Sequence, residues 1–137
     1  MPLVVDASMT LAWTLPDEED AAAQRVFERV LSEGATAPFL WSWEVQNALR
    51  MAERRNRIDL AQANDAVANL RGLGVELQPP ATLGRELELA RRHELTVYDA
   101  SYLELAIRLN LALATADRRL AAVARRLDIL ALECAAS

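Results

Sequence analysis

Leu3-Val4-Val5-Asp6 constrains this chain more than any other stretch. Three apolar residues, two of them β-branched, suit a short strand buried on both faces. Asp6 then places a carboxylate where the strand stops and a helix begins. In an open α/β sheet, ligands bind outside the carboxyl ends of the strands. With this strand at the centre, Asp6 points into that crevice, and acids from further along the chain can be brought beside it.

The rest of the sequence repeats the alternation. Thr10-Leu11-Ala12-Trp13 reads as a short helical turn broken by Pro16, and Asp17-Glu18-Glu19-Asp20 opens a helix through about residue 33. Val26, Val30 and Leu31 form its apolar stripe, and Gly34 ends it. Ala35-Thr36-Ala37 is a second strand. Ser42 suits the N-cap of a helix to about residue 56, with Val45, Ala48, Leu49 and Ala52 on one face. Asp59 starts another helix that ends near Gly72, and Val75-Glu76-Leu77 makes a third strand before Pro79-Pro80. Helices over about 82–93 and 98–110 follow, then the apolar strand Leu111-Ala112-Leu113-Ala114. Asp117 begins a last helix to about 127, and Ile129-Leu130 suits a fifth, edge strand. Strands separated by helices predict one α/β domain over 1–137, with a mostly parallel sheet of four to five strands covered on both faces.

Composition narrows the function classes. Hydrophobic residues make up 53% and charged residues 26%, so the chain is a folded domain rather than a disordered one. A net charge of −5 argues against gripping nucleic acid by bulk electrostatics, yet it is compatible with an acidic site that binds divalent ions. All fifteen basic residues are arginine, which excludes any mechanism that requires lysine. Cys134 has no partner for an internal disulfide. No positive leader followed by an apolar run opens the chain, and no stretch approaches ~18 consecutive apolar residues, so the expected location is the cytoplasm, with no membrane partner.

Four acids share one kind of address. Asp6 and Asp117 follow apolar strands, while Glu44 and Asp99 fall in the first turns of helices expected to begin at the same end of the sheet. Each has an ordinary explanation as an N-cap or as a partner of the helix dipole. Gathered in one crevice, however, such carboxylates repel one another, and hard oxygen-seeking cations relieve that repulsion. Two such ions can clamp a scissile phosphate for in-line attack.

The local words around the acids occur in a fixed order: Val5-Asp6-Ala7-Ser8, Trp43-Glu44-Val45-Gln46-Asn47-Ala48-Leu49, Leu95-Thr96-Val97-Tyr98-Asp99-Ala100-Ser101-Tyr102, and Ala114-Thr115-Ala116-Asp117-Arg118-Arg119-Leu120. Together they closely resemble the PIN-domain ribonucleases, in particular the VapC-like toxins of prokaryotic toxin–antitoxin pairs. The resemblance spans nearly the whole chain. It implies a Rossmann-like, three-layer α/β/α sandwich that gathers Asp6, Glu44, Asp99 and Asp117 as metal-binding and catalytic residues around one or two Mg²⁺ or Mn²⁺ ions. Ser8, Asn47 and Thr115 match polar positions that support such a site. The implied activity is metal-dependent endonucleolytic cleavage of RNA, with water as the nucleophile. The implied partners are a second copy of the chain and a small VapB-like antitoxin, combined in a larger toxin–antitoxin assembly. Arg118-Arg119 occupy a turn where some relatives carry another acid, which leaves a second metal ion less supported than the first.

Arg118 and Arg119 stand nearest the proposed acids and are the best candidates for RNA contact. Arg50, with Arg54, Arg55 and Arg57, clusters at the end of the helix that carries Glu44 and is a weaker candidate. Trp13, Trp41 and Trp43 read more naturally as core or interface residues than as base-stacking platforms. His93 has no nearby Ser or Cys pattern to support a nucleophile relay, and no Gly-rich phosphate loop is present. Two other classes are open to test. A phosphoryl-accepting module would need a cation such as lysine at the phosphate, and its phosphatase version an Asp at position 8, which is Ser. A non-catalytic interaction module, in which the acids only cap helices, is separated from a nuclease by a metal titration.

Overall fold

A computed structural model of the protein describes residues 1–15 and 20–131. Its elements run β1 (Leu3–Val5), α1 (Ala7–Thr14), α2 (Ala21–Glu33), β2 (Ala35–Pro38), α3 (Leu40–Arg54) and α4 (Leu60–Leu73). They continue with β3 (Glu76–Gln78), α5 (Arg85–His93), α6 (Val97–Leu109), β4 (Leu113–Ala114) and α7 (Arg118–Arg126). Pro16, the acids Asp17, Glu18 and Glu19, and Cys134 lie outside the described residues.

The strand order is β3-β2-β1-β4, and every pairing is parallel. β1 is central, with Val4 paired to Thr36 of β2 on one side and to Leu113 of β4 on the other. The chain builds outward from β1 through β2 to β3, then crosses back to place β4 on the opposite flank. That reversal creates a topological switch point at the carboxyl ends of β1 and β4, the place where open α/β sheets bind their ligands.

The pleat of β1 divides the core in two. Val4 faces Val45 and Leu49 of α3, Leu70 of α4, Leu103 of α6 and Leu120 of α7. Leu3 and Val5 face Met9 and Ala12 of α1 and Val26 and Val30 of α2. Successive strand residues point to opposite faces, so an unbroken apolar triplet is what a sheet with helices on both sides requires. The result is the expected three-layer α/β/α sandwich.

Several local expectations shift. Asp6 caps α1 directly, so that helix starts at Ala7 and is longer than the turn expected at Thr10. α3 starts at Leu40 with Phe39 at its N-cap position and no side-chain cap. The Phe39 N–H bonds to the Gln78 carbonyl at 3.2 Å, so β3 holds the chain at the point where the helix begins. Ser42 is therefore inside the first turn, where its hydroxyl accepts from Gln46 Nε2 at 3.1 Å, and Glu44 moves to the second turn. Leu31 is 62% exposed because the buried stripe of α2 runs through Ala22, Ala23, Val26 and Val30, about 100° round the helix from it. α5 begins at Arg85 rather than near Thr82. The fifth strand reduces to one parallel bridge between Leu130 and Leu113. Asp128, in the left-handed region at φ 58°, turns the chain just before it.

Candidate active site at the carboxyl edge of the sheet

Asp6 leaves the end of β1 and is 4% exposed. As N-cap of α1, its Oδ1 accepts the Met9 N–H at 2.8 Å. The Ser8 hydroxyl donates to both carboxylate oxygens, at 2.8 and 2.9 Å, and the Thr115 hydroxyl donates to Oδ2. Thr115 follows β4, the strand beside β1, so the parallel register brings a residue 109 positions away onto the Asp6 carboxylate. Ser8 Oγ also accepts the Ala116 N–H at 2.9 Å, and Thr115 Oγ1 accepts the Asp117 N–H at 3.0 Å. The two hydroxyls thereby lock the loop after β4 to the start of α1.

Burial still dominates the chemistry of Asp6. Desolvation outweighs the donors from Thr115, Met9 and Ser8, and with the field of Asp117 it pushes the carboxyl up to about 6. Asp117 caps α7, with Oδ1 accepting the Leu120 N–H at 2.9 Å. Asp99 lies in the first turn of α6, whose cap is Thr96 rather than Asp99 itself. Burial and the charge of Asp117 raise the Asp99 carboxyl, partly offset by Thr96 and Arg119. Glu44 is raised chiefly by burial and also by Asp99, against the hydrogen bond from Tyr102. Like charge thus connects the acids in sequence: Asp6 to Asp117, Asp117 to Asp99, and Asp99 to Glu44.

The sequence pattern described as PIN domain matches residues 3–126. The chain belongs to the PIN-domain family. This PIN domain is 36% identical over 118 residues to VapC ribonuclease Mb0985 of Mycobacterium bovis, covering 86% of this chain and 87% of that one. It is 32% identical over 124 residues to Ribonuclease VapC3 of Pyrobaculum aerophilum, covering 88% and 93%. The crystal structure of PAE2754 from Pyrobaculum aerophilum matches it with a TM-score of 0.70 and 26% identity, over 93% of this chain and 96% of that one. The likeness to VapC ribonucleases read from the four words is therefore borne out across the chain.

Of the supporting residues expected for the PIN domain, Ser8 and Thr115 grip Asp6 directly, while Asn47 is exposed on α3, one turn beyond Glu44. Arg118, Arg119 and Arg50 are exposed; Arg119 is near enough for its charge to act on Asp99, and Arg50 pairs with Glu53 at 3.3 Å. Trp41 and Trp13 serve packing, with their indole N–H groups on Thr10 Oγ1 at 2.9 Å and the Ala23 carbonyl at 3.0 Å. Trp43 is 64% exposed.

Sequence reasoning missed Tyr102. Its ring is buried, and its hydroxyl donates to Glu44 Oε1 at 2.5 Å, joining α6 to α3. Tyr102 stands three residues after Asp99, on the turn that follows it, and that spacing was the available signal.

The donor set of the PIN domain is all carboxylate and hydroxyl oxygen, the chemistry that suits Mg²⁺ or Mn²⁺. Among the described residues, no three His, Cys, Asp or Glu side chains close around one point that could hold a metal ion. The raised carboxyls of Asp6, Asp99 and Glu44 are the electrostatic cost that such a cation removes.

Proposed function

We propose that this chain is the toxin of a toxin–antitoxin pair, a Mg²⁺- or Mn²⁺-dependent endoribonuclease that hydrolyses RNA phosphodiester bonds. The observation that carries the reading is the buried Asp6 carboxylate at the switch point of the sheet, gripped by Ser8 and Thr115, with Asp117 in reach of its charge and Asp99 and Glu44 following in turn. Asp6 and Asp99 are the principal ligands in this proposal, and Glu44 and Asp117 complete the site or orient the attacking water. A bound divalent ion supplies Lewis acidity at the scissile phosphate and eases deprotonation of that water. Ser8 and Thr115 keep the Asp6 carboxylate in one orientation, and Tyr102 does the same for Glu44. Asn47, exposed one turn beyond Glu44, is the further supporting residue in this proposal, and Arg118, Arg119 and, more weakly, Arg50 are its RNA contacts. The likeness to VapC ribonucleases supports the remaining proposals: a small VapB-like antitoxin, a homodimer within a larger toxin–antitoxin assembly, and action in the cytoplasm.

One observation favours the non-catalytic module: Asp6 and Asp117 are both true N-caps. Capping accounts for two of the four acids. Glu44 and Asp99 cap nothing, and both are half-buried with raised carboxyls. The test is calorimetric titration of Mn²⁺ into the native chain and the Asp99→Asn variant, followed by incubation of both with RNA, with and without a chelator. The nuclease reading expects metal binding and cleavage by the native chain, with both lost in the variant. A folded, antitoxin-free native chain that binds no Mn²⁺ and cuts no RNA leaves the capping module standing.

A further inference from the structure

We propose that the cleft between the end of α5 and helix α7 is a subsite for backbone phosphates of single-stranded RNA, beside the acids. The proposal rests on the ribonuclease reading and extends it to how a net acidic protein holds a polyanion.

The cleft is open, about 490 Å³ in volume, and lined by His93, Glu94, Arg119, Ala122, Val123 and Arg126. Four of these lie at i, i+3, i+4 and i+7 of α7, so they share one face of the helix. Val123 is buried in the core beneath that face. Arg119 and Arg126 stand two turns apart, about 10 Å along the helix axis. His93 ends α5, and Glu94, left-handed at φ 55°, turns the chain away from it. Arg125, one step round the helix, is not part of the lining.

Two guanidiniums and an imidazole face a single carboxylate here. The 470 Å³ groove lined by Trp13, Phe27, Leu49, Ile58 and Leu70 contains Asp65 and no cation. The chain carries a net charge of −5 and no lysine, so its cations for phosphate must be local arginines. The guanidinium fork matches phosphate oxygens two at a time. Arg119 joins the two regions, since it lines the cleft and its charge also reaches Asp99. A strand with one phosphate at the acids therefore meets the cleft with its neighbouring phosphates.

The experiment measures binding of a short, labelled single-stranded RNA to the full-length Asp99→Asn protein across a salt series. Arg126→Gln is added to that background, and Arg25→Gln is the control. Arg25 is exposed on α2, across the sheet from α7. Arg126→Gln is expected to weaken binding about three- to tenfold and to reduce the salt slope by about one. Arg25→Gln is expected to leave both unchanged. In an otherwise native chain, Arg126→Gln should raise KM for RNA cleavage while kcat holds. Indistinguishable binding by the Arg126→Gln and Arg25→Gln proteins overturns the subsite, even where the native chain cuts RNA. A native chain that neither binds nor cuts RNA overturns the ribonuclease reading and the subsite with it.

Discussion

The Tyr102 hydroxyl donates to Glu44 Oε1 at 2.5 Å, and the Ala7 backbone N–H lies near enough to act on the same phenol. One buried phenol thus joins α3 to α6, close to the start of α1 that follows Asp6. Burial, and then the neighbouring Glu44 carboxylate, hold the phenol far above its ordinary range, so at all working pH values it is the donor and Glu44 the acceptor.

Tyr102→Phe keeps the ring and removes that donor. Because Glu44 is half-buried and water can reach it, the expected stability loss is about 1 kcal/mol. Freeing the carboxylate should lower kcat for RNA cleavage about 10- to 100-fold, with KM nearly unchanged, and weaken Mn²⁺ binding. Steady-state kinetics, calorimetry and a thermal melt check this. Equal kcat in both proteins would show that Glu44 needs no such support.

Asp6 makes the metal-free protein less stable as pH rises. Its folded carboxyl titrates at about 6 against an ordinary 3.8, so between these values the folded state binds more protons than the unfolded one. Its contribution is complete below about pH 4 and is lost as pH rises through 6, amounting to about 3 kcal/mol. Asp6→Asn keeps a capping oxygen and removes the charge, so melts in chelator should show a shallower decline from pH 4 to 7 than the native chain. Identical slopes would place the titration elsewhere.

Divalent metal should reverse that trend. Ligand carboxylates must be ionised, so Mn²⁺ should raise the melting temperature more at pH 7.5 than at pH 5. At a hundred times its dissociation constant the ion adds about 2.7 kcal/mol. Differential scanning at the two pH values, with Asp99→Asn as comparison, measures it; an equal rise at both pH values would contradict binding by these carboxyls.

Thr10 tests the scaffold apart from the chemistry. It is fully buried, donates to the Asp6 carbonyl at 2.8 Å and accepts the Trp41 indole N–H at 2.9 Å. Thr10→Val preserves shape and strands that buried N–H, which should cost about 1–3 kcal/mol in urea unfolding. A loss below a few tenths of a kcal/mol would show that Trp41 finds another acceptor.

The sequence by itself determined whatever depends on neighbours along the chain. Leu3-Val4-Val5 announced a strand buried on both faces, Asp6 and Asp117 announced the starts of α1 and α7, and the four acid-centred words announced the family. Each rests on local conformational preference or on an order of residues that can be read directly. Tertiary structure decided what depends on distant partners. Phe39 bonded to Gln78 of β3 starts α3 early, leaving Ser42 inside the helix and Glu44 in its second turn. Parallel pairing of β1 with β4 sets Thr115 on Asp6, and the packing of α6 near α3 sets Tyr102 on Glu44 across 58 residues. No local preference encodes those contacts, because their geometry exists only once strand order and helix packing bring remote residues within hydrogen-bonding reach.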